Sequence, residues 1–379
     1  MIPCQRDLFD LPEDVAYLRC AAVAPQMKSV HEAALASLER RARPWGSDSG
    51  IDFEAVDELR GRFAGLIGAA ADDIAIVPAA SYGLGIAAAN VAAAEGEKII
   101  VLENQFPSNV YPWRQLAAET GAEVRTVPRP ADSDWTPAVL EAIGNRAAAV
   151  ALANCHWNDG SMIDLAAVAE RTRAVGAALV LDLSQSCGAV PFDVAEIRPD
   201  FLVSVGQKWL MGPSQLAYLY VAPERQQGRP IEFNWVARAG AENPTGLADY
   251  TDDFQPGARR YDGGGRGNPL AIPMANTALA QIQAWGVAEI AESIRPLVEA
   301  IAEGAKALGL EPTPAPVRAP HFLGLRVPGG LPAGIAAGLG EANVHISVRG
   351  DSIRVAPNVY NNEADVARLL DALAPLVRN

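Results

Sequence analysis

Cysteine and histidine are scarce in this chain of 379 residues, and neither type is grouped. The four cysteines form no CxxC pair and no regular framework, which argues against a disulfide-stapled fold. The four histidines are equally scattered, and none stands near another at the spacing of a metal site. The residues are Cys4, Cys20, Cys155, Cys187, His31, His156, His321 and His345. The sequence therefore predicts reduced thiols and no metal.

Basic blocks and long apolar runs are also missing. The net charge is −14 and the pI is near 4.8, which argues against nucleic acid and anionic membrane surfaces as partners. No apolar run has the length of about 20 residues that a transmembrane helix needs. The first ten residues carry acids and lack the apolar core of a signal peptide. We therefore expect a soluble, cytoplasmic protein with no membrane partner.

The length is too great for one small core, so two domains are expected. From about residue 73 to 225, short apolar runs alternate with helical stretches, which predicts an α/β fold with a mostly parallel sheet covered by helices. The predicted strands are 74–77, 98–102, 123–127, 147–153, 177–183, 201–205 and 216–221. Helices are predicted at 25–45, 52–68, 83–94, 112–120, 137–143 and 165–175.

The last third of the chain has a different pattern. Residues 226–270 are rich in Gly, Pro, Asn and Arg and predict a long functional loop. A helical region at about 270–308 precedes predicted strands at 322–327, 344–348 and 352–355 and a helix at 363–377. These patterns predict an N-terminal arm (1–20), a large domain (21–270) and a smaller C-terminal α/β domain (271–379) joined through the long helix.

Lysine is the rarest charged residue, and one lysine follows a predicted buried strand. The four lysines are Lys28, Lys98, Lys208 and Lys306. Lys208 follows the run 201–205, so its ammonium should be poorly solvated and its pKa should fall. A neutral amine can form a Schiff base with a carbonyl compound. Lys208 therefore suggests pyridoxal phosphate chemistry.

Two further positions could hold such a cofactor. Ser81, followed by Tyr82, stands where a strand gives way to a helix, and a helix N-terminus suits a phosphate. Asp182 ends a buried strand, where a carboxylate could keep a pyridine nitrogen protonated. The alternatives are that Ser81 is only a helix N-cap and that Asp182 is an N-cap or a loop ion-pair partner.

Three more residues complete the set of candidates. Gln185 could donate to the phenolic oxygen of the cofactor, or be an ordinary polar loop residue. Phe106 follows a strand and could stack on a cofactor ring, or serve in the core or a lid. Arg354 lies on a predicted strand and suits a substrate carboxylate, with a surface ion pair as the alternative.

The order of these motifs resembles the class V aminotransferase family of fold-type I pyridoxal-phosphate enzymes along nearly the whole chain. The resemblance rests on Ala80-Ser81, Phe106, Asp182-Leu-Ser-Gln185, Gly206-Gln207-Lys208 with Gly212-Pro213, and Ile353-Arg354-Val-Ala-Pro followed by Tyr360-Asn361.

The resemblance implies a role for each residue. Lys208 would carry the cofactor and Asp182 would pair with its pyridine nitrogen, while Ser81 and Gln207 would face the phosphate and Arg354 the substrate carboxylate. Tyr82 would also be among the cofactor-binding residues. The glycine-rich segment 263–267 resembles the part that these enzymes lend to the neighbouring subunit. It implies a homodimer with active sites at the interface.

The reaction within the family stays open at this point. Cysteine desulfurases need a nucleophilic cysteine on a C-terminal loop, whereas the last cysteine here is Cys187. The motifs are nearer to kynureninase-like and isopenicillin N epimerase-like members, although Gln185 and Gln207 stand where kynureninases usually have His and Tyr. Transamination, C–C or other bond cleavage, and epimerisation are all compatible with these residues.

Two other classes remain as alternatives. The first is a nucleotide-dependent enzyme, against which neither GxGxxG nor GxxxxGK[ST] occurs. The second is a non-catalytic binding module, against which Lys208, Asp182 and Arg354 are all intact. Trp209, Trp235, Arg238, Arg259, Tyr261 and His156 are the unranked candidates for substrate contacts.

Overall fold

A computed structural model describes residues 1–46 and 51–377. The strands within these residues are β1 (Ala16–Tyr17), β2 (Ile74–Val77), β3 (Lys98–Leu102), β4 (Glu123–Val127), β5 (Ala147–Ala153), β6 (Ala178–Asp182), β7 (Phe201–Val205), β8 (Ala217–Val221), β9 (Glu311–Pro312), β10 (Leu323–Arg326), β11 (Val344–His345), β12 (Ser347–Arg349) and β13 (Ser352–Val355).

The helices follow the same alternation. Those described are α1 (Lys28–Arg41), α2 (Phe53–Ile67), α3 (Ala80–Asn90), α4 (Tyr111–Thr120), α5 (Trp135–Ala142), α6 (Leu165–Val175), α7 (Val194–Ile197), α8 (Ala271–Trp285), α9 (Val287–Ala307), α10 (Ile335–Glu341) and α11 (Glu363–Val377). In the part of the chain that the structure describes, no helix is long and apolar enough to cross a membrane.

The central sheet has seven strands in the order β2-β8-β7-β6-β5-β3-β4. All of them run parallel except β8, which is antiparallel to both of its neighbours. Alternate residues of β2 enter two different apolar clusters, with Ile74 and Ile76 on one face and Ala75 and Val77 on the other. The sheet is therefore covered on both faces, which confirms the predicted α/β class.

Helix α3 packs very closely on the middle of this sheet. A Cβ on Gly83 would lie 2.6 Å from Cγ1 of Val203 in β7, so only glycine permits this approach. The close packing fixes the N-terminus of α3 at the carboxyl edge of the parallel strands. That edge is where α/β sheets bind ligands.

A smaller sheet of order β12-β13-β10-β9 follows in the last third of the chain. The predicted helical region 270–308 is two helices, because Gly286 adopts a left-handed φ of 80° between α8 and α9. The predicted single strand 344–348 is wrong: β11 pairs with β1, whereas β12 joins the small sheet. The chain changes partner at Ile346, and sequence alternation alone does not reveal such a change.

The predicted division into an arm and two domains stays a prediction. Helix α8 contacts α1 and α2, whereas α9 contacts β9, β10 and α11 of the C-terminal part. Residues of the predicted arm also lie against this part, through the parallel pairing of β1 with β11.

Candidate active site

A cavity of about 220 Å³ opens at the carboxyl edge of β2, β3, β5, β6 and β7. Six of the eight predicted site residues line it. They are Ser81, Phe106, Asp182, Gln185, Gln207 and Lys208. The chain therefore brings together residues that are up to 127 positions apart (208 − 81), because successive parallel strands end at the same edge.

Lys208 lies in the tight connection between β7 and β8. The Gly206 N–H donates to the Leu216 carbonyl (2.9 Å), and the Gly212 N–H donates back to Gly206 (2.9 Å). A Cβ on Gly206 would lie 3.1 Å from the carbonyl oxygens of Pro213 and Leu216, which explains the glycine. This closed loop holds the lysine side chain at the cavity.

The environment of Lys208 favours its neutral amine. Burial lowers the pKa of Lys208 to about 8, while the charge of Asp182 opposes the shift and that of Arg354 adds to it. The Nζ atom lies 5.3 Å from the ring centroid of Phe106, within cation–π range. Burial thus acts on the pKa of Lys208 in the direction expected from the sequence.

Asp182 ends β6 and is buried, with 7% of its surface exposed. Its Oδ1 accepts a hydrogen bond from the Ser184 N–H (3.0 Å). No ion pair involves this carboxylate within the described residues, so it is not the loop salt bridge considered as an alternative. Its charge is available to a ligand in the cavity.

The N-terminus of α3 is open toward the same cavity. Its N-cap residue is Ala79, which supplies no side-chain cap, so Ser81 is not the N-cap. The Tyr82 and Gly83 N–H groups donate to the Ala79 carbonyl, while the Ala80 and Ser81 N–H groups have no acceptor within the described residues. Uncapped N–H groups with the helix dipole behind them suit an anion.

Gln185 is held firmly in place. Its Nε2 donates to the Ala21 carbonyl (3.0 Å), and its Oε1 accepts from the Trp209 indole (3.1 Å). Its backbone carbonyl is bonded to the buried His321 ring, which meets Trp209 edge to face at 4.4 Å. Trp209 thus positions Gln185 and does not face the cavity itself.

Tyr82 and Arg354 are the two predicted residues that do not line the cavity. The Tyr82 hydroxyl donates to Glu232 (2.8 Å), because the side chain points from α3 toward the loop preceding residue 270. Arg354 is 2% exposed and donates to the carbonyl of Trp157, a cavity residue (2.7 Å). Trp157 therefore lies between Arg354 and the cavity.

Trp157 was missed by the sequence reasoning. Its indole donates to the Asn104 carbonyl (2.7 Å), and its ring meets Phe106 edge to face at 5.5 Å. The available signal was its position four residues past the end of β5, in a loop at the same edge of the sheet as Asp182, the last residue of β6. His156, which was among the unranked candidates, also lines the cavity and stacks on Trp135 at 5.1 Å.

The other unranked candidates lie elsewhere. Arg259 forms ion pairs with Asp57 and Asp72, and Arg238 lies over the Phe254 ring at 4.1 Å. The Tyr261 hydroxyl donates to a backbone carbonyl (2.6 Å). Trp235 is 48% exposed and does not line the cavity.

The comparisons with known proteins agree with this geometry. The family model for aminotransferase class-V matches residues 16–369. The chain is 28% identical to isopenicillin N epimerase of Amycolatopsis lactamdurans over 340 residues (84% of each chain) and 29% identical to kynureninase of Deinococcus radiodurans over 270 residues (68% of this chain, 63% of the relative). A structure of C-DES with glycine linked to its pyridoxal-phosphate cofactor superposes with a TM-score of 0.88 at 19% identity, covering 98% of this chain and 99% of the other.

The family expected from the motifs is thereby confirmed, and so are the fold and the cofactor. This chain belongs to the class V aminotransferase family of pyridoxal-phosphate-dependent enzymes.

Proposed function

We propose that this enzyme acts on an α-amino acid, with transamination as its reaction and Lys208 as the residue that holds the cofactor. The observation that carries the proposal is the convergence of Lys208, Asp182 and the open N-terminus of α3 on one cavity. A kynureninase-like C–C hydrolysis is the second candidate, favoured by the 29% identity to a kynureninase.

The residues present fit pyridoxal phosphate. The free N–H groups of Ala80 and Ser81 would bind the phosphate, with Gln207 beside them. The charge of Asp182 would hold the pyridine nitrogen protonated, and Gln185 would donate to the phenolic oxygen. When bound, the cofactor supplies an electron-withdrawing ring that stabilises negative charge at the substrate Cα. Phe106 would pack on the face of that ring.

Lys208 has two tasks in this proposal. Its amine binds the cofactor in the resting enzyme, and it then acts as the general base that removes the proton from the substrate Cα. Both tasks need a neutral amine, and the lowered pKa increases the neutral fraction near neutral pH. The tight loop between β7 and β8 keeps Nζ at one position.

Arg354 is assigned to the α-carboxylate of the substrate. Its guanidinium is buried, its Nε has no partner, and no acid pairs with it within residues 1–46 and 51–377. A buried cation without an anion is costly, so a bound carboxylate would be stabilised strongly. The present acceptor of Arg354 is the Trp157 carbonyl, and in this proposal the substrate carboxylate is a further acceptor for the same guanidinium.

The test is a panel of amino acids, added one at a time to the holoenzyme while the visible absorption of the cofactor is followed. We expect at least one α-amino acid to change the band and to yield the corresponding oxo acid. Anthranilate or another cleavage product would favour the hydrolase instead. A cofactor band that responds to no amino acid would contradict the proposal.

The reaction of the apoprotein with pyridoxal phosphate should depend on pH with a midpoint near the Lys208 pKa of about 8. Only the neutral amine attacks a carbonyl, so the rate should rise about tenfold per pH unit below the midpoint and level off above it. Asp182 raises this pKa, so Asp182→Asn should move the midpoint to lower pH. Stopped-flow absorbance would measure it, and a midpoint near 10.5 would contradict the account.

We further propose a cytoplasmic homodimer with active sites at the interface. The four free cysteines support the cytoplasmic location. The glycine-rich segment 263–267 supports the shared active sites. Asp262 anchors this segment, because both Arg60 and Arg266 donate to its carboxylate in the interior. Light scattering should give about twice the chain mass of 39.9 kDa, and the mass of a single chain would argue against shared sites.

A further inference from the structure

Arg349 and Arg354 share one face of the small sheet beside the candidate site, and Arg19 lies next to them. Strands β12 and β13 pair antiparallel, with Ser347 opposite Arg354 and Arg349 opposite Ser352. Residues directly opposite, and residues two apart on one strand, project from the same face. Arg349 and Arg354 are therefore diagonal neighbours on that face.

Arg19 joins this pair from the N-terminal segment. It forms a parallel bridge with Ala356, directly after β13. Its Nε donates to Oγ of Ser347, at 3.3 Å, and Ser347 is the residue opposite Arg354. Arg349 and Arg354 come from the two strands of one hairpin and Arg19 from the distant N-terminal segment, so the fold brings the third arginine to the other two.

Trp157 connects the arginine group to the cavity. The Arg349 guanidinium carbon lies 5.8 Å from the centroid of the Trp157 ring, and Arg354 donates to the Trp157 carbonyl. The same ring contacts Phe106, which lies over Lys208 Nζ. Phe106 and Trp157 thus form a chain of contacts from Lys208 in the cavity to the arginines behind its wall.

No acid among the described residues forms an ion pair with Arg19, Arg349 or Arg354, although the chain carries a net charge of −14. Burial lowers the pKa of Arg354 to about 9, and the charges of Arg349 and Arg19 act in the same direction. Burial and Arg19 likewise lower the pKa of Arg349. Like charges held together in this way are relieved by a bound anion.

A single α-carboxylate on Arg354 leaves two of these cations without a partner. We propose that the substrate is an amino acid whose side chain ends in a carboxylate, and that Arg349 and Arg19 bind this second carboxylate. Two guanidinium groups on one face can donate several charge-assisted hydrogen bonds to one carboxylate. This inference rests on the proposed function and narrows its substrate class.

The test compares acidic amino acids with their neutral amides on the holoenzyme. Aspartate, glutamate and 2-aminoadipate place the second carboxylate at increasing distances, and asparagine and glutamine are the uncharged counterparts. Dissociation constants come from the change in the cofactor band. We expect one acid to bind about 10- to 100-fold more tightly than its amide, the range of one or two hydrogen bonds to a charged group. Equal binding of acid and amide would overturn the proposal.

Variants of the arginines test which residues cause the preference for the acid over the amide. Arg349→Gln and Arg19→Gln should each weaken binding of the acid more than binding of the amide and so reduce the preference for the acid, and Arg349→Lys should keep part of the preference. The matched control is Arg326→Gln, since Arg326 lies on the same face, opposite Ser352, but already pairs with Glu311. A preference that survives in the Arg19→Gln, Arg349→Gln double variant would overturn the assignment.

A second binding measurement separates this inference from the proposed function. Succinate, glutarate and adipate lack an amine and cannot react with the cofactor, so calorimetry measures their binding alone. We expect one of them to bind the holoenzyme at least about tenfold more tightly than a monocarboxylate of equal length, and Arg349→Gln to remove the difference. That result would support the arginine site even if no amino acid reacted, and its absence would refute the site even if amino acids reacted.

Discussion

Replacing Lys208 with alanine should lower kcat by about a thousandfold or more, because the change removes both the cofactor attachment and the general base. The cofactor would still bind through the α3 N-terminus and Asp182, but without a covalent link. We therefore expect the variant to release pyridoxal phosphate on dialysis while keeping its fold. Activity with the best amino acid of the panel and the absorbance of the dialysed protein are the two measurements.

Lys306→Ala is the matched control for this variant. Lys306 is half-exposed on α9 and pairs with Glu303, one turn away. Its loss should leave kcat and cofactor retention within about twofold, as expected of an exposed ion pair. Wild-type activity in the Lys208→Ala protein would remove the lysine from the mechanism and favour a non-catalytic binding module.

Replacing Asp182 with asparagine should lower kcat by about a hundredfold or more, because the substitution keeps the shape but removes the charge assigned to the pyridine nitrogen. The carbonyl oxygen of the introduced amide could still accept the Ser184 N–H, so the fold of the loop should persist. The Lys208 amine should become a weaker base as well, since Asp182 raises its pKa. Steady-state kinetics with the identified substrate would measure the loss.

Asp200→Asn is the control for this change, since Asp200 lies before β7, at the opposite edge of the same sheet. It accepts from the Leu179 N–H (2.8 Å) and pairs with Arg225. We expect this variant to lose stability and to keep kcat within a few-fold. If Asp182→Asn retained kcat to the same extent as Asp200→Asn, the assignment of Asp182 would be wrong.

The strands of the large sheet could be predicted from the sequence because most of them are buried on both faces. Residues 74–77, 98–102, 147–153 and 201–205 are short, mostly apolar runs, and each strand has the bounds that the sequence indicates. The two-residue strand β1 could not be predicted, since its partner β11 is 328 positions away (344 − 16) and two residues show no periodicity.

Most of the candidate site could be predicted, because the carboxyl ends of parallel strands meet at one edge of the sheet. Lys208, Asp182 and Phe106 each follow a strand whose end lies at the carboxyl edge of the sheet. That rule does not predict the direction of a side chain, so the hydrogen bond from Tyr82 to Glu232 could not be predicted.

One sequence pattern predicts that two of the three arginines lie close together. Gly350-Asp351 between two short β-like runs is typical of a tight hairpin, which places Arg349 and Arg354 on one face. Arg19 gave no such signal, because its bridge to Ala356 joins distant parts of the chain.

The most direct test of the central claim is to map where borohydride fixes the cofactor. Purified holoenzyme is reduced and digested, and the peptide carrying the pyridoxyl group is identified by mass spectrometry. Our account predicts that the label lies on the peptide containing Lys208 and that Lys208→Ala abolishes it. A label on the peptide of Lys28, Lys98 or Lys306, or no label after saturation with pyridoxal phosphate, would contradict the account.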